Sequence, residues 1–220
     1  MSHSFNVAID GPAGAGKSTI AKRVAREKNY IYVDTGAMYR AMALYLLRLG
    51  VSPEDSDKIA KACMQADISI EYQKGEQVVL LNGENVNAFL RTEEVGNMAS
   101  YSSAVSAVRE KLVELQRKLA KTTDVVMDGR DIASVVLPDA DVKVYLTASS
   151  HTRAKRRYME LIEKGETADL EKIEQDIIER DYRDMHREHS PLVQAEDAVL
   201  IDSSNLTIEE VTERILALCR

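Results

Sequence analysis

Short apolar runs and longer stretches of helical period alternate along the start of the chain. Residues 5–10 (FNVAID) are a β-branched run that ends in an acid, and a Gly-rich stretch follows at 11–16. The pattern predicts a helix from Lys17 to about residue 29 and a second strand at 30–34 (YIYVD). Strand, loop, helix and strand within about thirty residues is the length of a βαβ unit. Residues 37–49 read as helical, because Met38, Ala41, Met42 and Tyr45 recur at helical spacing and Gly50 stops the run. The two methionines are expected in the core.

The next segment changes character. Residues 68–72 (ISIEY) and 78–81 (VVLL) read as strands separated by a Lys74-Gly75 turn, and Asn82-Gly83 turns the chain again before 84–86. Asn-Gly between apolar runs is a strong hairpin signal. A small antiparallel sheet is therefore expected as an insert at about 51–95, outside any parallel sheet. Residues 104–121 form a long helix in which Val105, Val108, Leu112, Leu115 and Leu119 repeat at spacings of three and four. That is too few heptads for a coiled coil, so the helix packs on its own domain. Residues 125–128 (VVMD), 142–147 (VKVYLT) and 199–202 (VLID) are short strands without polar alternation. Such strands are usually buried on both faces of a parallel sheet. Residues 153–163 and 170–187 are highly charged helices, and a last helix spans 207–218. Five strands alternating with helices imply a doubly wound α/β fold with a five-stranded parallel sheet.

Composition narrows the function classes. A chain of 220 residues suits one domain, and 45% hydrophobic with 30% charged residues is ordinary for a globular protein. The longest apolar run, 41–47, has seven residues, against the roughly 18–20 that a membrane-spanning helix needs. No Lys or Arg precedes Lys17 and Asp10 interrupts the first apolar stretch, which does not fit a secretory signal. Cys63 and Cys219 lie far apart without a CxxC, so reduced thiols and a cytoplasmic location are expected. A net charge of −7 argues against nonspecific nucleic-acid binding. No membrane partner is expected, and a monomer is the default.

The chemistry starts at residue 11. Gly11, Pro12, Ala13, Gly14, Ala15, Gly16, Lys17 and Ser18 fit G-x-x-x-x-G-K-[ST], between a strand and a helix, which is the context the motif requires. Glycines let the backbone wrap a phosphate chain with its N–H groups pointing inward. The helix starting near Lys17 offers its positive end to the same anion. Lys17 would reach the β- and γ-phosphates, and the Ser18 hydroxyl would ligate Mg²⁺. A P-loop names the triphosphate and not the reaction. The Asn-Lys-x-Asp base-reading motif of GTPases is absent, and motor-type ATPases need more chain. A small phosphotransferase remains.

Three further motifs lie where ligands bind in such folds. Asp34-Thr35-Gly36-Ala37-Met38-Tyr39-Arg40 follows the second strand, and Asp128-Gly129-Arg130-Asp131 follows the third. Both are at carboxyl ends of strands. The fourth runs from Glu179 to Arg187, where a continuous helix sets Arg180, Asp184 and Arg187 within an arc of about 60°. Taken alone, that run is a solvated face laced with ion pairs; beside a P-loop it reads as an anion-binding lid.

These motifs together resemble the bacterial cytidylate kinases, P-loop enzymes that phosphorylate CMP and dCMP with ATP. GPAGAGKST, DTGAMYR, DGRDI and ERDYRD-x-x-R stand in that family's order and spacing, from Ile9 to about residue 203. The insert at 51–95 looks like the small β-rich insert of the bacterial branch. The resemblance implies a single kinase domain over 1–220, an acceptor-binding segment at about 35–121 that contains the insert, and a helical lid at about 150–190. It implies that residues 11–19, ending in Thr19, hold the ATP phosphates, with Arg153 and Arg157 near ATP on the lid. It implies that Thr35, Arg40, Arg130 and Arg180 contact the acceptor phosphate. Ser100, Arg109 and Asp131 would read the cytosine, and Asp184 and Arg187 would meet the ribose. Lys17, Arg130 and Arg180 would be catalytic with Mg²⁺. Asp128 sits where P-loop enzymes keep an acid near the metal, or it caps a turn. A kinase for shikimate or another nucleotide, and an ATP-sensing switch, remain alternatives that acceptor profiling separates.

Overall fold

The fold, a computed structural model, describes residues 3–73 and 75–219. In chain order the strands and helices are β1 (Asn6–Asp10), α1 (Lys17–Lys28), β2 (Ile31–Asp34), α2 (Thr35–Arg48), α3 (Ser56–Cys63), β3 (Ile68–Gln73), β4 (Glu76–Leu81), β5 (Glu84–Asn85), α4 (Glu93–Ser102), α5 (Ser106–Thr122), β6 (Val125–Gly129), β7 (Val142–Thr147), α6 (Ser150–Glu163), α7 (Leu170–His186), β8 (Val199–Asp202) and α8 (Ile208–Leu218). A 3₁₀ turn, Asn87–Phe89, precedes α4, and a π-helical turn, Ile132–Val136, follows β6.

The main sheet has five parallel strands in the order β2-β6-β1-β7-β8, flanked by helices. β1 pairs with β7 from Val7↔Val142 to Asp10↔Tyr145, and β7 with β8 from Val144↔Val199 to Thr147↔Asp202. β1 and β6 are buried almost throughout, which is why their sequences show no polar alternation. β7 and β8 depart from that expectation, β7 by alternating buried and half-buried positions. β8 ends the sheet, and Val199 and Leu200 are exposed at 43% and 56%. An edge strand has a neighbour on one side only, so an apolar run there need not be covered.

The chain falls into two compact units: residues 31–125, with the first residues of the chain, and residues 5–30 with everything after 125. In the first unit α2 packs against α3, α4 and α5. Met38, Ala41, Met42 and Leu46 are fully buried at the expected helical spacing. β3, β4 and β5 form the expected antiparallel sheet. Asn82 and Gly83 both have positive φ, 50° and 83°, the geometry of a type I′ hairpin, and they bring Leu81 opposite Glu84. Of the turn expected at 74–75, Lys74 lies outside the described residues. α3 and α4 were not expected from the hydrophobic pattern.

In the second unit α1 packs on α8, and α6 on α7. The helix expected over 170–187 stops at His186, and Arg187 turns to extended backbone with ψ 144°. Arg187 therefore does not share a helical arc with Arg180 and Asp184. Pro191 follows, and Ser190 has φ 51°, which no helix continues through. The Leu192 N–H donates to the freed Asp184 carbonyl at 2.8 Å, which satisfies one of the orphan groups of the helix end. Cys63 and Cys219 are buried free thiols, and burial pushes both thiol pKa values up. No helix among the described residues is long and apolar enough to cross a membrane.

Candidate active site

The second unit carries the phosphate loop. Gly11 follows β1 with φ 148°, and a Cβ there would lie 1.9 Å from the Leu146 carbonyl oxygen. Only glycine lets the loop start this close to β7. Gly16 is left-handed at φ 90° and caps α1 at Lys17. Lys17 is buried, and its Nζ donates to the Pro12 carbonyl at 2.8 Å. Burial and then the neighbouring Arg130 guanidinium hold its pKa well below the ordinary lysine value, against the pull of Asp128, Asp10 and Asp184. A phosphate oxygen beside this ammonium would relieve both penalties.

Asp128 lies on β6, and its Oδ2 accepts from the Ser18 hydroxyl at 2.9 Å. The pair offers a hydroxyl and a carboxylate oxygen side by side. Among the described residues no cluster of three or more His, Cys, Asp or Glu is placed to hold a metal. Two hard oxygen ligands suit Mg²⁺, which keeps waters and substrate phosphates as its other ligands. The residues therefore fit a metal that arrives with a triphosphate.

Arg130, one residue past β6, donates from Nε to Asp184 Oδ2 on α7 at 2.9 Å. Burial would lower the pKa of Arg130, but Asp184 outweighs it and the shift is upward. Burial likewise favours the neutral Asp184 carboxyl, but Arg130, Arg180 and Arg187 together hold it below the ordinary range. This is a compact ionised cluster at the end of β6. Arg187 donates from Nε to the Ser190 carbonyl at 2.7 Å, and its Nη2 stands 3.8 Å from Asp131 Oδ1. It reaches the cluster from the loop beyond α7 and not from the helix itself.

The arginines expected on a lid separate. Arg153 is 5% exposed, and its guanidinium donates to Asp181 Oδ2 at 2.6 Å, to the Ala13 carbonyl at 3.0 Å and to the Ala148 carbonyl at 2.8 Å. It is built into the wall of the loop. Arg157 is exposed and pairs with Glu160 at 2.9 Å one turn on along α6. Arg156 donates to the Ser203 carbonyl at 2.8 Å. Thr19 is exposed at the start of α1.

The first unit assembles a second group. Asp34 caps α2, its Oδ1 accepting from the Ala37 N–H at 2.9 Å. Thr35, the first residue of the helix, is buried. A Cβ on Gly36 would meet Arg40 Nη1 at 3.1 Å, so the Arg40 side chain lies back over the first helical turn. The insert grips this turn from β4. Gln77 Oε1 accepts from the Asp34 N–H at 2.8 Å, and Gln77 Nε2 donates to the Asp34 carbonyl at 3.2 Å. Arg91 adds an ion pair to Asp34 at 3.1 Å. Arg109, buried on α5, sits 5.4 Å from the centroid of the Tyr39 ring and donates to the Ser103 carbonyl at 3.1 Å. Ser100 is half-buried on α4.

Several contributors escaped the motif reading. Gln77, Arg91 and Asp10 lie outside the phosphate-binding and arginine motifs, and Asp181 sits inside one without a role. The available signals were modest: Asp10 is an acid closing an otherwise apolar run, and Asp181 lies between two arginine positions of the lid helix. His151, His186 and His189 are exposed, as expected of residues the chemistry does not use.

Similarity to known proteins identifies the family. A family model described as cytidylate kinase matches residues 7–220. The cytidylate kinase of Caldicellulosiruptor saccharolyticus is 51% identical over 97% of this chain and 95% of its own length. That of Lactobacillus johnsonii is 49% identical over 98% of this chain and 94% of its own. Among solved structures, a shikimate kinase from Bacteroides thetaiotaomicron superposes with TM-score 0.51 at 14% identity over 98% of both chains, a likeness of fold alone. The motif order, the phosphate loop with its buried lysine, and half-identical relatives along nearly the whole length place the chain in the cytidylate kinase family.

Proposed function

We propose that this cytidylate kinase moves the γ-phosphoryl group of ATP to CMP or dCMP, releasing ADP and CDP or dCDP, and that the phosphate loop, the arginine cluster and the acceptor segment divide the work. The observation that carries the reading is a pair of neighbouring cations, buried Lys17 and half-buried Arg130, each within the other's field. Two like charges held together are costly unless an anion joins them. Donor and acceptor here are both polyanions, and gathering them is the main obstacle to reaction.

The attacking oxygen belongs to a phosphate, which is ionised at neutral pH. No general base is required, and catalysis rests on in-line positioning and on positive charge around the transferring group. Residues 11–19 cradle the ATP phosphates with backbone N–H groups. Lys17 and Arg130 neutralise charge at the reacting phosphoryl group, and Arg180 joins them from α7. Ser18 and Asp128 would hold Mg²⁺, which on binding offsets charge on the β- and γ-phosphates. Thr35 and Arg40 take the acceptor phosphate with Arg130. Ser100, Arg109 and Asp131 read the base, and Asp184 and Arg187 the ribose. Arg153 serves ATP by shaping the loop, and Arg157 from the exposed face of α6. The segment 150–190 acts as a lid that excludes water. The enzyme is taken to act as a cytoplasmic monomer.

The test is ADP release with ATP, Mg²⁺ and a panel of acceptors: CMP, dCMP, UMP, AMP and shikimate. Turnover with CMP and dCMP at least a hundredfold above the others supports the reading. Equal turnover with UMP, or activity on shikimate alone, rejects it.

A further inference from the structure

Asp10 ends β1 and is 2% exposed. Its Oδ1 accepts from the Ile132 N–H at 2.8 Å and its Oδ2 from the Ala133 N–H at 2.7 Å. Those two amides open the π-helical turn Ile132–Val136, where N–H groups have no partner inside the turn. Gly11, the first residue of the phosphate loop, follows Asp10; Asp131 and Arg130 immediately precede the turn. Val135 and Val136 donate back to the Asp131 carbonyl at 2.9 and 3.1 Å. One side chain thus joins the loop that holds ATP to the backbone of Asp131, with one oxygen on each amide.

The choice of residue is informative. Burying a carboxylate is costly: burial pushes the Asp10 pKa up to about 6, with the two amides and Lys17 pulling down and Asp131 pushing further up. Serine or asparagine would cap one amide without that cost. A carboxylate gives each of the two amides an oxygen of its own, whereas an asparagine in the same pose would turn its NH₂ against one of them.

We propose that Asp10 is a positioning residue for base recognition: by clamping the amides of Ile132 and Ala133 it fixes the backbone of Asp131, and so the direction from which that carboxylate meets the acceptor base. The proposal rests on the reading of Asp131 as a base contact.

The experiment compares wild type, Asp10→Asn and Asp131→Ala by kcat/KM for CMP and UMP, with circular dichroism as a check of fold and titration of a non-hydrolysable ATP analogue. In Asp10→Asn the ratio of kcat/KM for CMP over UMP should fall at least tenfold, mostly through the KM for CMP, while affinity for the ATP analogue stays within threefold. A merely structural role would lower stability and leave the ratio alone; an unchanged ratio in a folded Asp10→Asn overturns the proposal. Asp131→Ala separates the two readings. If it leaves the ratio intact, Asp131 is not the base contact; if it collapses the ratio and Asp10→Asn does not, the positioning role is wrong. Should Asp10→Asn not fold, Ala133→Pro removes one of the two donors at a first-turn position that tolerates proline. It must lower the same ratio at least fivefold for the proposal to stand.

Discussion

Arg153 and Asp181 face each other at 2.6 Å, at 5% and 13% side-chain exposure. The same guanidinium holds the Ala13 carbonyl, and its Cβ lies 3.4 Å from the position a Cβ on Gly14 would take. α7 and the phosphate loop are thus tied through one arginine. Removing only the acid leaves a buried charge without its partner, which costs about 3–5 kcal/mol where such pairs have been broken. Asp181→Ala should therefore lower unfolding free energy by about 3 kcal/mol and weaken binding of an ATP analogue. Urea unfolding with ATP-analogue titration is the check, and a loss below about 0.5 kcal/mol would mean Arg153 finds a substitute partner.

Lys17 leads to the opposite expectation for stability. Its ammonium is buried beside Arg130 and held well below its ordinary pKa, so the free fold gains little from it. Lys17→Ala should cut turnover by orders of magnitude with no loss of melting temperature. Near-normal turnover would remove the phosphate-loop assignment.

Asp10 makes stability depend on pH. Its carboxyl titrates near 6 in the fold against an ordinary value of 3.8, chiefly because burial penalises the charged form. The folded state therefore binds this proton more tightly than the unfolded state. The contribution is fully present below about pH 3.8 and is lost as pH rises through 6. Relative to Asp10→Asn, wild type should lose about 2 kcal/mol between pH 4 and pH 7. The paired comparison matters because Asp184, with its lowered pKa, works in the other direction as pH falls. Parallel unfolding curves for the two proteins across that range would contradict the assignment.

Gln77 is the residue through which the insert would act on the acceptor side. Its amide closes a two-point contact with the backbone of Asp34, directly before Thr35. Gln77→Ala leaves a part-buried N–H and carbonyl without that partner, worth about 1 kcal/mol. The KM for CMP should rise about fivefold and the KM for ATP stay within twofold. Equal changes in both would show that the insert does not serve the acceptor.

Asp131→Ala tests hydrogen-bond polarity. Cytosine offers an amino donor at position 4 where uracil offers an oxygen, so a carboxylate there favours CMP. Wild type should prefer CMP to UMP by roughly a hundredfold, and the variant should lose most of that preference while retaining phosphate contacts through Arg40 and Arg130. Steady-state kinetics with both acceptors decides it.

What could be read from the residues was what is local. The phosphate loop and the Asn82-Gly83 hairpin are each fixed by neighbours in the chain, whereas the strand–helix–strand start is split, because β6 lies between β1 and β2 in the sheet. α4 also carries a local signal, since Thr92 caps it and Val95, Met98, Ala99 and Ser102 fall on one buried face. Its stripe is weakly apolar, because Ala99 and Ser102 make up half of the buried face. Residues 132–136 (IASVV) look like strand by composition. They turn because Asp10, far away in sequence, takes the first two amides. Arg187 continues a helical charge pattern, and only the turn ahead of Pro191 stops it. The Arg130–Asp184 and Arg153–Asp181 pairs are likewise products of folding, and no spacing rule joins their partners.

The division of the chain into units sets an order of assembly. Residues 31–125 are contiguous and, apart from β2, whose sheet neighbour is β6, find their partners among themselves, whereas β1 must find β7 across the gap from residue 7 to residue 142. Closing so long a loop is entropically costly and slow compared with local pairing. On the ribosome the middle of the chain should therefore settle while β1 is still waiting for its neighbour to be synthesised. The first motif to be translated is among the last to be locked. A ligand that binds only the finished loop, as proposed for ATP, should stabilise the folded state and no intermediate before it, raising the yield of refolding more than its speed.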